Sequence, residues 1–182
     1  MKHILGISGK DSLTTAIILK AHQPDAWAKV ELFVNDNKAE FPDKEAWLKK
    51  CEAYLGKPIH RIEASLEDII KRESREGTTL LPSGKMRYCT KYSKIHPMEK
   101  WIGVEPATLY VGLRYDEPDR KGYTPSETLR PAYPLINHGI DLPKVFAILS
   151  ALDLLPPGYF WQRLYQRVEQ IINERSPLLP AI

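Results

Sequence analysis

The stretch GISGKDS, Gly6 to Ser12, places a lysine, an aspartate and two serine hydroxyls around Gly9. It follows the apolar run HIL and precedes LTTAIILKAH, which has helical spacing. Such a turn suits an anion. Backbone amides at the start of a helix point outward with no carbonyl to satisfy, and the helix dipole favours negative charge there. Gly9 permits close approach of a ligand, Lys10 adds a cation, and Ser8 and Ser12 add donors. Asp11 can cap the helix or help hold a magnesium ion. The spacing excludes a Walker A loop, because Lys10 is followed by Asp11 rather than Ser or Thr, and no third glycine completes a dinucleotide fingerprint. A second chemical feature is Cys89, which lies between Arg87 and Lys91. Nearby positive charge favours its thiolate, the form that attacks sulfur or carbon.

The elements that must position these residues alternate. HILGI reads as a short buried strand, and residues 12–22 as a helix with Leu13, Ala16, Ile17 and Leu19 apolar, ended by Pro24. KVELFV is a second strand. A helix runs from Pro42 to Leu55 and stops at Gly56; KPIHRIEA is a third strand. SLEDIIKRE is a short helix capped by Ser65, with Asp68 three residues on. After the loop REGTTLLPSGKMRYC, residues 90–102 read as a helix interrupted by Pro97, ATLYVGLR as a fourth strand, and LRPAYPLI as a fifth. DLPKVFAILSALDL and FWQRLYQRVEQIINE close the chain as helices. Strand and helix in alternation predict an α/β fold: an open, mostly parallel twisted sheet with helices on both faces. The reading is one domain over residues 1–182, with a helical C-terminal segment from about 141.

Bulk composition narrows the function. The 182 residues carry a net charge of +3 and 43% hydrophobic side chains, enough for a proper core and compatible with an acidic ligand. Two cysteines are too few for a disulfide scaffold, and the histidines make no metal-ligand spacing. No apolar run reaches the ~18 residues of a spanning helix, and the N-terminus turns polar too early for a signal peptide. A cytoplasmic protein without a membrane partner is expected.

Four stretches in order resemble the PP-loop ATP pyrophosphatases, or adenine nucleotide alpha hydrolases, in their PAPS (phosphoadenosine phosphosulfate) reductase-like branch. SGKDS is similar to the family's SGGKDS pyrophosphate loop. NDNKAEFP resembles DTGxEFP, matching at Asp36, Glu40, Phe41 and Pro42 and departing at Asn37 and Lys38. RYCTKYSKIHP resembles a segment in which Arg87, Cys89, Thr90, Lys94 and Pro97 match. VGLRYDEPDR is similar to GIRxDESxR, matching at Gly112, Arg114, Asp116, Glu117 and Arg120. The resemblance implies an adenine nucleotide site built from Ser8, Gly9, Lys10, Asp11, Ser12, Asp36, Gly112, Arg114, Glu117 and Arg120. It implies a reacting centre at Lys10, Arg87, Cys89, Lys94 and Arg114. Arginine forks suit phosphate and sulfate oxygens, and Asp36 can hydrogen-bond a ribose or serve a metal.

ATP or a PAPS-type nucleotide with Mg2+ is therefore expected as ligand. An iron–sulfur cluster is not, since the cluster-bearing relatives use four cysteines. The first functional reading is an ATP pyrophosphatase that forms AMP and pyrophosphate while adenylating or thiolating an acceptor. The alternatives are a sulfonucleotide reductase or sulfurtransferase-like enzyme, for which no cysteine follows Cys89, and a non-catalytic nucleotide-binding subunit or sensor. A thiol donor or sulfur-carrier protein fits as partner, and a nucleic acid as acceptor. The acceptor and the oligomeric state are not legible.

Overall fold

The computed structural model describes residues 1–38, 43–74, 88–120 and 128–157. Their five strands are β1 (Lys2–Gly6), β2 (Val30–Asp36), β3 (Ile59–Glu63), β4 (Ala107–Tyr110) and β5 (Leu129–Ala132). They form one sheet in the order β3-β2-β1-β4-β5, and every pair is parallel. Leu5 of β1 stands opposite Leu32 on one side and Tyr110 on the other. β1 is central and covered on both faces, and its Ile4 and Leu5 are fully buried.

One face of the sheet carries α1 (Lys10–His22), α2 (Pro24–Lys29), α3 (Lys44–Leu55), α7 (Pro134–Asn137) and α8 (Leu142–Ala151), which share a core with Leu5, Leu32 and Val34. The other face packs Ile4, Phe33 and Leu109 against Met98 and Ile102 of α6 (His96–Ile102). α4 is Leu66–Glu73 and α5 is Tyr88–Thr90. Each Leu or Ile so buried contributes about 1.5–3 kcal/mol of transfer free energy. α1 packs against α2, α3, α7 and α8 as well as β1, so residues 13–19 are all buried. That explains why its sequence has no polar stripe. Trp47 of α3 donates its indole N–H to Leu154 O at 2.9 Å, tying α3 to the chain beyond α8.

The expected open parallel α/β sheet with helices on both faces is what the chain forms. Gly56 ends α3 in a left-handed conformation at φ 71°, and Ser65 caps α4 by accepting from the Asp68 amide at 3.2 Å. Four boundaries differ from the sequence reading. Pro24 ends α1 but also starts α2, because proline is preorganised for the first helical position. The interruption at Pro97 is a π-helical turn, Lys91–Ile95, between α5 and α6. Proline has no N–H for the carbonyl four residues back, and the wider turn takes up that mismatch. The fifth strand stops at Ala132, where Pro134 opens α7 instead of extending the ladder. The fourth strand stops at Tyr110, four residues early. The segment EFP after β2, the loop holding Arg87, the loop after Arg120 and the expected closing helix at 160–174 fall outside the described residues.

The early end of β4 has a steric cause. Val111 still donates to Ala132 O at 2.9 Å, but the Leu113 amide turns back to Val111 O, also at 2.9 Å. Between them, Gly112 lies against the first turn of α1: a Cβ there would stand 2.8 Å from both Asp11 C and Ser12 N. Backbone cannot give way as a flexible side chain can. Gly112→Ala is therefore expected to destabilise the chain by about 1–3 kcal/mol, measured by urea denaturation. Gly9, where a Cβ would meet nothing within 4 Å, is the control: Gly9→Ala should cost under about 1 kcal/mol.

Candidate functional site at the carboxyl edge of the sheet

The strand order reverses beside β1: β2 and β3 lie on one side, β4 and β5 on the other. In open parallel sheets the crevice outside the carboxyl ends at such a switch point is where ligands bind. Two chain segments meet there, the turn from β1 into α1 and the turn after β4.

The first begins where the Ile7 amide donates to Phe33 O at 2.7 Å, the last bond before the chain leaves the sheet. Ser12 Oγ accepts from the Ser8 amide at 2.9 Å and the Gly9 amide at 3.1 Å, and donates to Gly9 O at 3.0 Å. The hydroxyls of Thr14 and Thr15 donate to Lys10 O and Asp11 O at 2.9 Å each. These bonds hold the turn rigid. The opening amides of α1 have no carbonyl inside the helix to receive them and carry its positive end. Gly9 is extended, with φ 173° and ψ −164°, so its backbone conformation does not require glycine. Among the described residues, a Cβ there would meet nothing within 4 Å.

The second segment brings Arg114, only 12% exposed, across to the same place. Its Nη1 donates to both Asp11 oxygens at 3.2 Å, and its Nε to Asp116 Oδ1 at 3.0 Å. Its Nη2 lies 3.3 Å from Glu117 Oε1. Asp11 also accepts from Lys10 Nζ at 2.7 Å. Lys10 is 8% exposed, and a lysine is rarely that buried without a charged partner. Glu117 in turn accepts from Arg120 Nη1 at 2.9 Å. Among the described residues, three cations and three carboxylates are so joined. An incoming anion must take the place of Asp11 on Lys10 and Arg114.

The electrostatics follow from that cluster. Burial works to lower the Arg114 pKa, but Asp11, Asp116 and Glu117 outweigh it and raise it. Burial works to raise the carboxyls of Asp116 and Glu117, yet Arg114, joined at Glu117 by its own amide and by Arg120, holds both below their ordinary values.

Sequence-chosen residues divide into three groups. Direct contacts or close approach bring together Ser8, Gly9, Lys10, Asp11, Ser12, Gly112, Arg114, Glu117 and Arg120, with Arg120 the outermost at 61% exposed. Asp36 ends the neighbouring strand β2, where its carboxylate takes the amide of Lys38 at 3.0 Å and its Nζ at 2.7 Å. The ammonium hydrogen bond of Lys38 is the largest cause of a lowered Asp36 pKa. Lys38 adopts φ 58°, a conformation natural to glycine, at the place where the DTGxEFP pattern has its glycine. Cys89 and Lys94 sit on the helical segment covering the other face of the sheet. Cys89 is half-buried, its carbonyl accepting from Ser93 Oγ at 2.7 Å, and Lys94 is exposed. Among the described residues neither makes a hydrogen bond or ion pair with the Lys10–Arg114 cluster. Arg87 lies outside the described residues. One participant was missed: Asp116, matched in the motif but assigned no role. Asn35, near the end of β2, buries an Oδ1 that has no hydrogen-bond partner among the described residues. Only the i, i+2 spacing of Arg114 and Asp116 was available as a signal.

Acid should loosen the cluster. Groups held below their unfolded values of 3.8 and 4.5 contribute stability that is complete above those values and lost as pH falls through the lower folded ones. The thermal midpoint is expected to stay level down to about pH 5 and fall steeply below about pH 4. In Glu117→Gln it should start lower at neutral pH and fall less on acidification, as followed by circular dichroism.

No family model matches the chain, and no curated protein matches it. Solved structures do. Phosphoadenylyl-sulfate (PAPS) reductase from Candida auris, in a phosphate complex, is 19% identical, with a TM-score of 0.56 over 86% of this chain and 74% of that one. The U34-tRNA thiolase NcsA from Methanococcus maripaludis, with its 4Fe-4S cluster, is 15% identical, with a TM-score of 0.55 over 97% of this chain and 67% of that one. The second likeness corrects the expectation of no iron–sulfur cluster: a protein of the same fold carries one, so a cysteine count is no ground for exclusion. Among the described residues no group of three or more His, Cys, Asp or Glu side chains could hold a metal ion, so these residues supply no cluster ligand set and no chemistry is assigned to one. No described helix is long and apolar enough to cross a membrane. The fold of this chain is that of PAPS reductase and the thiolase.

Proposed function

We propose that the chain binds the oligophosphate of an adenine nucleotide at the first turn of α1 and acts as an ATP pyrophosphatase, transferring AMP to an acceptor. The observation that carries this reading is the convergence of Lys10 and Arg114 on Asp11, on the rim of the turn that Gly9 leaves open. Two cations sharing one internal carboxylate are preset for an anion carrying more than one charge. The amides at the start of α1, residues 10–12, add donors in a fixed direction, so little reorganisation is needed when the ligand arrives. One fold neighbour is a phosphoadenylyl-sulfate reductase in a phosphate complex, an anion of the class such a site suits.

In the reaction, a lone pair on the acceptor forms a bond to the α-phosphorus. The bond from that phosphorus to the bridging oxygen breaks, and its electron pair leaves on pyrophosphate; the acceptor proton goes to solvent or to a base on the acceptor side. The contribution of this chain is positioning and charge neutralisation. Lys10 and the α1 amides hold the departing pyrophosphate. Arg114, whose planar fork suits phosphate oxygens, stabilises charge that builds as the bridge breaks.

Sulfur transfer is the second reading, favoured by one contrast. Cys51 is fully buried, and burial, with Glu52 nearby, pushes its thiol up to about 12. Cys89 is only half-buried and lies in α5, just before the π-helical turn, so it is the thiol a sulfonucleotide or a thiol donor can reach.

Calorimetric titration with ATP, AMP, PAPS and adenosine 3′,5′-bisphosphate separates the readings. ATP should bind most tightly, with pyrophosphate released when an acceptor is supplied. Lys10→Ala should weaken ATP binding by roughly tenfold to a hundredfold, the loss of one charge-assisted contact. Gly9→Ala should weaken it while leaving the fold intact. Tightest binding of PAPS, with an adduct on Cys89 in intact mass, would move the assignment to sulfur transfer. Equal binding by wild type and Lys10→Ala would remove the phosphate site altogether.

A further inference from the structure

We propose that Glu117 is a positioning residue: its carboxylate fixes the direction of the Arg114 guanidinium and thereby sets the affinity of the α1 turn for phosphate oxygens. This rests on the anion-binding reading above and changes the role of Glu117 within it, from a nucleotide contact to a residue acting through another.

The geometry divides the carboxylate between two tasks. Oε2 accepts the Arg114 backbone amide at 3.2 Å. Oε1 lies 3.3 Å from Arg114 Nη2 and accepts from Arg120 Nη1 at 2.9 Å. The backbone closes the same loop, with the Glu117 amide donating to Arg114 O at 3.2 Å and the Arg120 amide to Glu117 O at 3.1 Å. One side chain therefore grips both the main chain and the far end of the same arginine. Asp116 holds the Nε edge at 3.0 Å. With two edges fixed by its own turn, the guanidinium can present only Nη1 to α1, where it meets Asp11 at 3.2 Å.

Charge excludes a direct contact with the phosphates. A carboxylate facing phosphate oxygens repels them, and both oxygens of Glu117 are already committed to Arg114 and Arg120. What Glu117 can do for an anion is done through Arg114. A fork held in place loses less rotamer entropy when it takes a phosphate than one that must be ordered first. Arg120, well exposed, serves as the outer brace that keeps the Glu117 carboxylate turned inward.

The test is a double-mutant cycle on the full chain, with inorganic pyrophosphate and ATP as calorimetric probes. Glu117→Gln keeps the shape of the side chain and removes its charge, and should weaken both probes about five- to tenfold. Arg114→Ala should weaken them more. The double variant should bind no more weakly than Arg114→Ala alone, because Glu117 has nothing left to position. Losses that multiply in the double variant overturn the proposal. If Arg114→Ala does not fold, Arg114→Lys, which keeps the charge but loses the fork, takes its place in the cycle. A ligand-independent arm follows the Arg114 Nη2–H resonance, the edge that faces Glu117, by low-temperature NMR: it should exchange slowly in wild type and be broadened or lost in Glu117→Gln. Its survival unchanged in Glu117→Gln also overturns the proposal. Failure of the wild type to bind either probe sinks the anion-binding reading instead, and the arginine resonance then decides the role of Glu117 by itself.

Discussion

The contact on which the site depends is backbone against backbone. Gly112, just beyond β4, presses on the peptide between Asp11 and Ser12 so closely that no side chain fits between them. Parallel pairing of β1 with β4 brings the two chain segments to one edge of the sheet, and the absent Cβ lets them touch. The chain must leave the β ladder at that point, which is why β4 is shorter than its apolar run. The same departure swings Arg114 over the first turn of α1. Strand order, glycine and guanidinium are thus successive links of one cause.

Electrostatics completes the arrangement. A buried lysine and a nearly buried arginine side by side would repel, and each pays for losing its water. Asp11 offsets both costs by sitting between them, and the carboxylates of Asp116 and Glu117 occupy the remaining edges of Arg114. The cluster is stable because it is neutral. It is suited to an anion because, among the described residues, Asp11 is the carboxylate that Lys10 and Arg114 share beside the Gly9 turn. Exchange of that internal carboxylate for an external oligophosphate keeps the balance of neighbours while adding the α1 amides as further donors.

Much of this was legible in the sequence. The alternation of apolar runs and helical periods gave the parallel α/β sheet, because buried parallel strands and crossover helices leave distinct periodicities. Gly56 and Ser65 marked helix ends by chemistry that is local. SGKDS and GLRYDE flagged the two turns that meet. What was not legible depends on contacts distant in sequence. Nothing in VGLR announced that Gly112 would halt β4, since the obstructing backbone lies about a hundred residues earlier. Arg114 is tied to three carboxylates, of which the i, i+2 and i, i+3 partners could be seen in the sequence, but Asp11 could not. Pro24 and Pro134 were read as stops or passengers because a proline that ends one element looks the same as one that begins the next. The cysteine count was given too much weight, as the cluster-bearing thiolase of the same fold makes plain.

The most direct test of the central claim is a 1H–15N titration of the labelled protein with ATP, following backbone amides and arginine side chains together. The account predicts that the largest shifts fall on the amides of Gly9, Lys10, Asp11 and Ser12 and on the Arg114 guanidinium, moving with one common affinity. Shifts confined to another face of the molecule, with those amides unmoved at saturation, would contradict it.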